Sequence, residues 1–411
     1  MTTTDTLVAP SAPPPAAEGE RRNLLQQVLD ASWLTIILAI LMALIASSVL
    51  IAAANSQVQA TAVYLFARPS DFFGASWDAI FGAYSSLFRG AIFDYEATTA
   101  VRRIRPITET MTASVPLIFA GLGLAVGFRS GLFNIGAQGQ VLVGAAAATF
   151  VGITFSMPAG VHLVIACLAA IVVGALWAGI AGFLKARTGA NEVIVTIMLN
   201  SIAVYLISYL LTTQLLAQGG TRPISPVVAD TATFPLLLGS GFRLHAGFIV
   251  AILAAWAVWW LLERSVLGFQ FRAVGANQNA ARTAGIRVNL VFVLVMLTAG
   301  GLAGMGGATQ ILGTDKSLQA SSAGSIGFDA ITVALLGRSR PLGTVLAALL
   351  FGALRAGSPL MQTSANTPID IVQVIQASIV LLIAAPPLVR ELSIFHRIAT
   401  LFGYSMKGAR A

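Results

Sequence analysis

Apolar runs recur along this 411-residue chain, separated by polar breaks of very different lengths. The runs are Trp33–Ala54, Met111–Phe128, Leu132–Phe155, Val161–Leu184, Val193–Leu216, Ala246–Leu262, Leu290–Leu312, Ile326–Leu336, Leu342–Leu354 and Ile369–Pro386. A helix of roughly 20 residues crosses a hydrocarbon core of about 30 Å. The short alternating strands of a membrane barrel do not occur, so helices remain the way to satisfy the backbone inside lipid. The pattern predicts an all-α integral membrane protein with about ten transmembrane helices. The runs at 326 and 342 are short, and GRSRPLG (337–343) lies between them. Broken helices of this kind are tolerated only where the backbone faces protein or a water-filled cavity, and they point to a transport pathway. Ten spans divide into two groups of five, and an odd number per half gives the arithmetic of a 5+5 inverted repeat.

The segments outside the runs set the remaining organisation. Residues 1–30, rich at first in Thr, Pro and Ala, read as a disordered tail. Residues 31–390 form the transmembrane domain, and 391–411 a second tail. The 22 residues from Trp33 exceed the apolar region of a cleaved leader, so a retained first span is expected. In the 55–105 loop, Phe73, Trp77, Ile80, Phe81, Tyr84, Leu87 and Phe88 recur at helical spacing among Asp78, Ser85 and Arg89. That predicts an amphipathic helix over 73–93 on the outer face. With this loop outside, most of the 24 Lys and Arg residues fall on the inner side, among them Arg129, Lys185, Arg187, Arg264 and Arg282. Both termini are then cytoplasmic.

Composition agrees: 57% of residues are hydrophobic and 10% charged, against about 25% charged in soluble domains. The net charge of +8 sits in loops between spans and forms no aromatic-interleaved patch, which argues against nucleic acid. Cys167 is the only cysteine, so an intrachain disulfide is impossible, and a buried small hydrophobe is the expected role. His162, His245 and His396 are scattered without neighbours at metal-ligand spacing. No catalytic constellation, metal site or cofactor is expected. No Gly-Lys dipeptide occurs, so the chain has no P-loop, and any ATP acts from another subunit.

Three stretches carry candidate chemistry. GLFNIGAQGQ (131–140) places Asn134, Gln138 and Gln140 among glycines, which is costly in lipid unless they meet a cavity or a neighbouring helix. The amides suit a neutral polar solute, and amides gluing close-packed helices explain them as well. In NEVIVTIMLN (191–200), Asn191 can cap a helix whose first turn holds Glu192, while Asn200 lies deep in an apolar run. In the basic 264–288 loop, Asn277 or Asn279 can cap a short helix over Ala280–Ala284, with Gly285 ending it in the left-handed conformation. Such a helix is a docking knob for a soluble partner, or an ordinary loop.

Taken together, and in this order, the three stretches resemble permease subunits of bacterial ABC importers in the branched-chain amino acid, sugar and nucleoside permease family. The likeness is nearest to the nucleoside branch, whose binding protein is of the basic-membrane-lipoprotein type. GLFNIGAQGQ is similar to GLFNIGAEGQ, NEVIVTIMLN to NEVISTIMLN, and FRAVGANQNAARTAGI to the coupling-loop pattern RAVGxNPxAAxxAGI. The resemblance runs from about residue 106 to 390. Gln138 replaces a common Glu, and Gln278 a common Pro. The resemblance implies a bacterial inner-membrane permease importing nucleosides, or else a sugar or amino acid. A second related permease, a cytoplasmic ABC ATPase and an extracytoplasmic substrate-binding lipoprotein would be its partners. It implies that Phe133, Asn134, Gln138, Gln140 and Asn200 line the pathway. Arg272, Asn277, Asn279, Ala280, Ala281 and Gly285 would form the ATPase-coupling surface.

Two rivals stand beside this reading. An ion-coupled transporter needs ionisable groups deep in the membrane, and the candidates Glu192, Asp329 and His162 lie near span ends. A membrane enzyme lacks any catalytic set.

Overall fold

The computed structural model describes residues 32–384 except Thr221, Asn366 and Ile369; the tails expected at 1–30 and 391–411 lie outside them. The helices are α1 (Ser32–Ala54), α2 (Ser56–Ala62), α3 (Pro69–Ala91), α4 (Ala100–Arg129), α5 (Ala137–Thr154), α6 (Val161–Thr188) and α7 (Glu192–Leu210). They continue with α8 (Gly247–Arg264), α9 (Val266–Ala276), α10 (Gln278–Thr283), α11 (Val288–Thr309), α12 (Ile326–Leu336), α13 (Pro341–Ala365) and α14 (Asp370–Ala384). Among the described residues, β-structure is confined to two isolated bridges. Seven helices are long and apolar enough to cross a membrane, and an eighth span results if the bent pair over Ile40–Ala62 counts as one. The protein is therefore a multi-pass, all-helical membrane protein.

Local sequence explains the ends. Asn191 caps α7, its Oδ1 accepting from the N–H groups of Val193 (2.9 Å) and Ile194 (3.4 Å), with Glu192 in the first turn as expected. Helix α6 stops at Gly189, in the left-handed region at φ 72°, after Lys185 and Arg187 in its last turn.

Helix α11 is the hub. Its sequence AGGLAGMGGAT (299–309) lets three neighbours approach to backbone distance. A Cβ on Gly144 of α5 would lie 2.3 Å from the Gly304 Cα, one on Gly300 would lie 2.3 Å from the Gly174 carbonyl oxygen of α6, and one on Gly123 of α4 would lie 2.6 Å from the Ala299 oxygen. Around this hub α6 packs on α11 as α13 packs on α4.

Two ends of the bundle differ in character. The basal end collects Arg129, Arg264, α9, α10 and Arg340; the distal end carries the 55–99 and 211–246 connections. Helix α11 extends through a π-helical turn, Gln310–Asp315, so the Val288–Asp315 unit of 28 residues rises about 42 Å. Segment 316–325 then folds back into the bundle. Helix α12, with 11 residues and about 16 Å long, completes the descent to Arg338.

Two expectations change. The run Leu132–Phe155 is not one helix, because residues 130–136 are irregular and α5 begins only at Ala137. The run Leu342–Leu354 is too short: α13 continues to Ala365. The amphipathic helix expected over 73–93 corresponds to α3, whose small residues pack along α13. Gly82 faces Ala365 and Gly90 faces Gly357, an antiparallel register along α13, while the Tyr84 hydroxyl donates to the Leu44 carbonyl of α1 at 2.6 Å. Phe73, Trp77, Phe81 and Phe88 stay exposed on its other side.

His245, just before α8, is buried at 1% exposure. Its Nδ1 accepts from the Gly247 N–H at 3.2 Å, and its Nε2 has no partner among the described residues. Burial first, and Arg243 second, lower its pKa to about 4. The unfolded chain takes up this proton near pH 6.5, so the stabilising neutral state is fully present above that value. It is lost as pH falls toward about 4, by at most ~3 kcal/mol. Thermal unfolding in detergent should therefore shift down between pH 7 and 4.5, and His245→Phe should flatten that shift. An unchanged pH profile in the variant would count against it.

Candidate functional site

The first two sequence stretches form one unit. Asn134 and Gln140, each 1% exposed, pair amide to amide: each Nδ2 or Nε2 donates to the other's oxygen at 3.1 Å. Asn134 Oδ1 also accepts from the Gly136 N–H at 2.8 Å. From α7, Asn200 Oδ1 accepts from the Gly139 N–H at 2.8 Å, and its Nδ2 donates to the Ile135 carbonyl at 2.8 Å. Thr196 Oγ1 accepts from the Ile135 N–H at 3.3 Å. The irregular 130–136 backbone leaves polar groups that no helix satisfies, and these side chains supply the missing partners. Asn134, Gln140 and Asn200 thus spend their amides on one another and on backbone. Phe133, 52% exposed, and the half-buried Gln138 reach accessible surface.

Gln138 joins the two breaks. Its Nε2 donates to the Gly324 carbonyl at 2.6 Å, and its Oε1 accepts from the Gly327 N–H at 2.8 Å. A Cβ on Gly327 would lie 2.2 Å from the Gln138 nitrogen, so the first turns of α5 and α12 meet directly. Above this junction, toward the distal end, a cavity of about 510 Å³ is lined by Gln310, Asp315, Gln319, Gly324 and Arg355 among others. A second, of about 680 Å³, adds Arg102, Arg105 and Glu109, and shares Arg243, Gln310, Thr314 and Arg355 with the first.

Arg355 lies one residue beyond the apolar run Leu342–Leu354, outside the stretches that carry candidate chemistry. The signal was present: Ala356, Pro359, Leu360 and Met361 continue the helix. The π-helical turn left no legible signal in the sequence.

The third stretch forms the basal surface. Asn277 Oδ1 caps α10 by accepting from the N–H groups of Asn279 (2.9 Å) and Ala280 (3.0 Å). Gly285 has φ 83°. Its N–H donates to the Arg282 carbonyl, and that of Ile286 to the Ala281 carbonyl, each at 3.0 Å, which closes the helix as a Schellman motif. Asn279, Ala280 and Gly285 are exposed, and Ala281 turns inward. Arg272 does not reach that surface through its charge; its guanidinium donates to Glu263 Oε2 at 2.9 Å, while Arg129 holds Oε1 of the same carboxylate. Contrary to a plain loop, residues 266–276 are helical, started by Ser265, whose Oγ accepts from the Gly268 N–H at 2.9 Å. The end of α9 lies on the first break: a Cβ on Gly275 would sit 2.3 Å from the Arg129 carbonyl oxygen.

The ionisable candidates for ion coupling are otherwise engaged. His162 is fully buried and bonds to Thr231 Oγ1 (2.8 Å) and the Val151 carbonyl (3.1 Å). Glu192 pairs with Lys185 at 2.6 Å, and Asp329 accepts from Ser325 Oγ at 2.7 Å. Among the described residues no group of His, Cys, Asp and Glu is arranged to hold a metal.

A family model described as the permease component of branched-chain amino acid transport systems matches residues 107–384. A guanosine ABC transporter permease protein of Bacillus subtilis is 39% identical over 314 residues, 76% of this chain and 88% of the relative. A glucose ABC transporter permease protein of Haloferax volcanii is 39% identical over 284 residues, covering 67% and 75%. A nucleoside ABC transporter permease protein of Lactococcus lactis is 34% identical over 295 residues, covering 70% and 81%. No solved structure matches the chain.

Proposed function

The chain belongs to the permease-component family of branched-chain amino acid transport systems, and from that membership we propose that it carries nucleosides inward. It is a permease subunit of an ABC importer and not an enzyme. The observation that carries the cargo assignment is the identity with guanosine and nucleoside permeases over most of both chains. The polar cavity lined by Gln310, Gln319, Ser321 and Ser322 supports it, since nucleosides need hydrogen-bond partners for their hydroxyls and ring atoms. Sugar import is the second reading, favoured by the equal identity to the glucose permease.

In this reading the basal end faces the cytoplasm of a bacterial cell, as the concentration of Arg and Lys there favours, and both termini lie on that side. An ATPase grips the exposed face of α10 at Asn277, Asn279, Ala280 and Gly285. A substrate-binding lipoprotein delivers solute to the distal end, and a second related permease completes the assembly. Ten crossings result when α12 and α14 are counted with α1, α4–α8, α11 and α13. The halves α1–α7 and α8–α14 then correspond with opposite orientation: α4, break and α5 mirror α11, break and α12, and the exchanged packing of α4 on α13 and α11 on α6 supports the repeat. Phe133 and Gln138 border the pathway, while Asn134, Gln140 and Asn200 brace it.

Uptake of labelled guanosine, adenosine, glucose and leucine should be compared in cells with and without the intact importer. Guanosine and adenosine should accumulate at least tenfold above the deletion strain, and persist when an uncoupler collapses the ion gradients. Accumulation of glucose or leucine alone would replace the cargo, and loss with the uncoupler would revive ion coupling.

A further inference from the structure

Arg355 stands 14 residues beyond Pro341 in α13, about 21 Å along the helix, at a depth where a charge is costly unless it faces water or a partner. Among the described residues no carboxylate lies within 4.0 Å of it. Its Nη2 lies 3.2 Å from where a Cβ on Gly324 would stand, which puts the guanidinium over the residue whose carbonyl Gln138 holds. The π-helical turn faces it across the cavity. That turn widens the helix so that both Gln310 and Asp315 line the cavity, with Gln310 Nε2 donating to Asp315 Oδ1 at 3.0 Å. Turns of this type recur at functional sites. The volume of about 510 Å³ is within the range of small-molecule sites, roughly 300–1,000 Å³.

We infer that this cavity at the second break is a solute-holding site, and that Arg355 contacts the cargo there and sets part of its specificity. The guanidinium fork donates to an oxo oxygen on the base of the solute. Asp315, oriented by Gln310, accepts from its hydroxyl groups. Gln138, bridging Gly324 and Gly327, forms the floor, so release requires that bridge to open. The inference rests on the importer reading above and adds the place and the residue that recognise the cargo.

The test compares wild type, Arg355→Gln and Arg355→Lys in the complete importer. It uses labelled inosine, which has an oxo group on its base, and purine riboside, which lacks it. Arg355→Gln should lower inosine uptake at least tenfold and purine riboside uptake no more than twofold. Arg355→Lys should recover part of the inosine uptake, and all variants should keep wild-type membrane levels. Equal losses for both solutes, or no loss, would overturn the assignment, since a purely structural role cannot distinguish them. If wild type imports glucose and no nucleoside, the cargo reading falls separately. The same variants are then read on glucose, where a loss under twofold for Arg355→Gln overturns the site.

Discussion

Gly275→Val is expected to cut uptake below about a tenth of wild type while ATP hydrolysis by the assembled importer continues. The added Cβ would lie 2.3 Å from the Arg129 carbonyl and 3.0 Å from the Gly131 nitrogen, both backbone atoms that cannot rotate away. Overpacking costs ~1–3 kcal/mol even among side chains, and here the strain is relieved only by lifting α9 off the first break. Helix α9 leads straight into the capped α10, and the break leads straight into α5 and Gln138. The variant therefore separates the surface proposed for the ATPase from the pathway. Ala276→Val, at the next and exposed position, is the size control and should transport within twofold of wild type. Normal uptake by Gly275→Val would mean that the contact transmits nothing.

The second large effect belongs to Asn200→Leu. Leucine is close in size but removes the acceptor for the Gly139 N–H and the donor for the Ile135 carbonyl. Leaving a buried polar group without its partner costs ~1–3 kcal/mol, so the pair should cost ~2–6 kcal/mol, with no nearby water to compensate inside lipid. Differential scanning fluorimetry of the detergent-purified protein should show the melting temperature lowered by several degrees, and uptake should fall with it. A variant that melts and transports like wild type would remove Asn200 from the bracing role.

Much of the helical layout was legible because membrane spans are written in composition. The cap of α10 was legible because Asn277 and Gly285 act within a few residues of the groups they satisfy. What was not legible depended on distant partners. The amides of GLFNIGAQGQ left a cavity role and a packing role equally open; the difference lies in whether Asn200, about sixty residues away in sequence, reaches them. Arg355 is hard to read from sequence because a charge normally ends an apolar run, and the cavity explains how α13 carries a guanidinium in its middle. Helix α3 reads as amphipathic because its large apolar residues recur at helical spacing among Asp78, Ser85 and Arg89. Its small residues Gly82 and Gly90 are the positions where α13 approaches, and spacing alone does not reveal a partner some 270 residues downstream.

The glycine seam along α11 has a mechanical consequence. Where backbones touch without side chains between them, no cushion exists to absorb sliding, so α4, α5, α6 and α11 must shift as one block. Compliance is then expected in stretches that lack helical ladders beside that block, among them 130–136 and 316–325. A molecule built this way is expected to bend at such breaks before its glycine-packed centre yields.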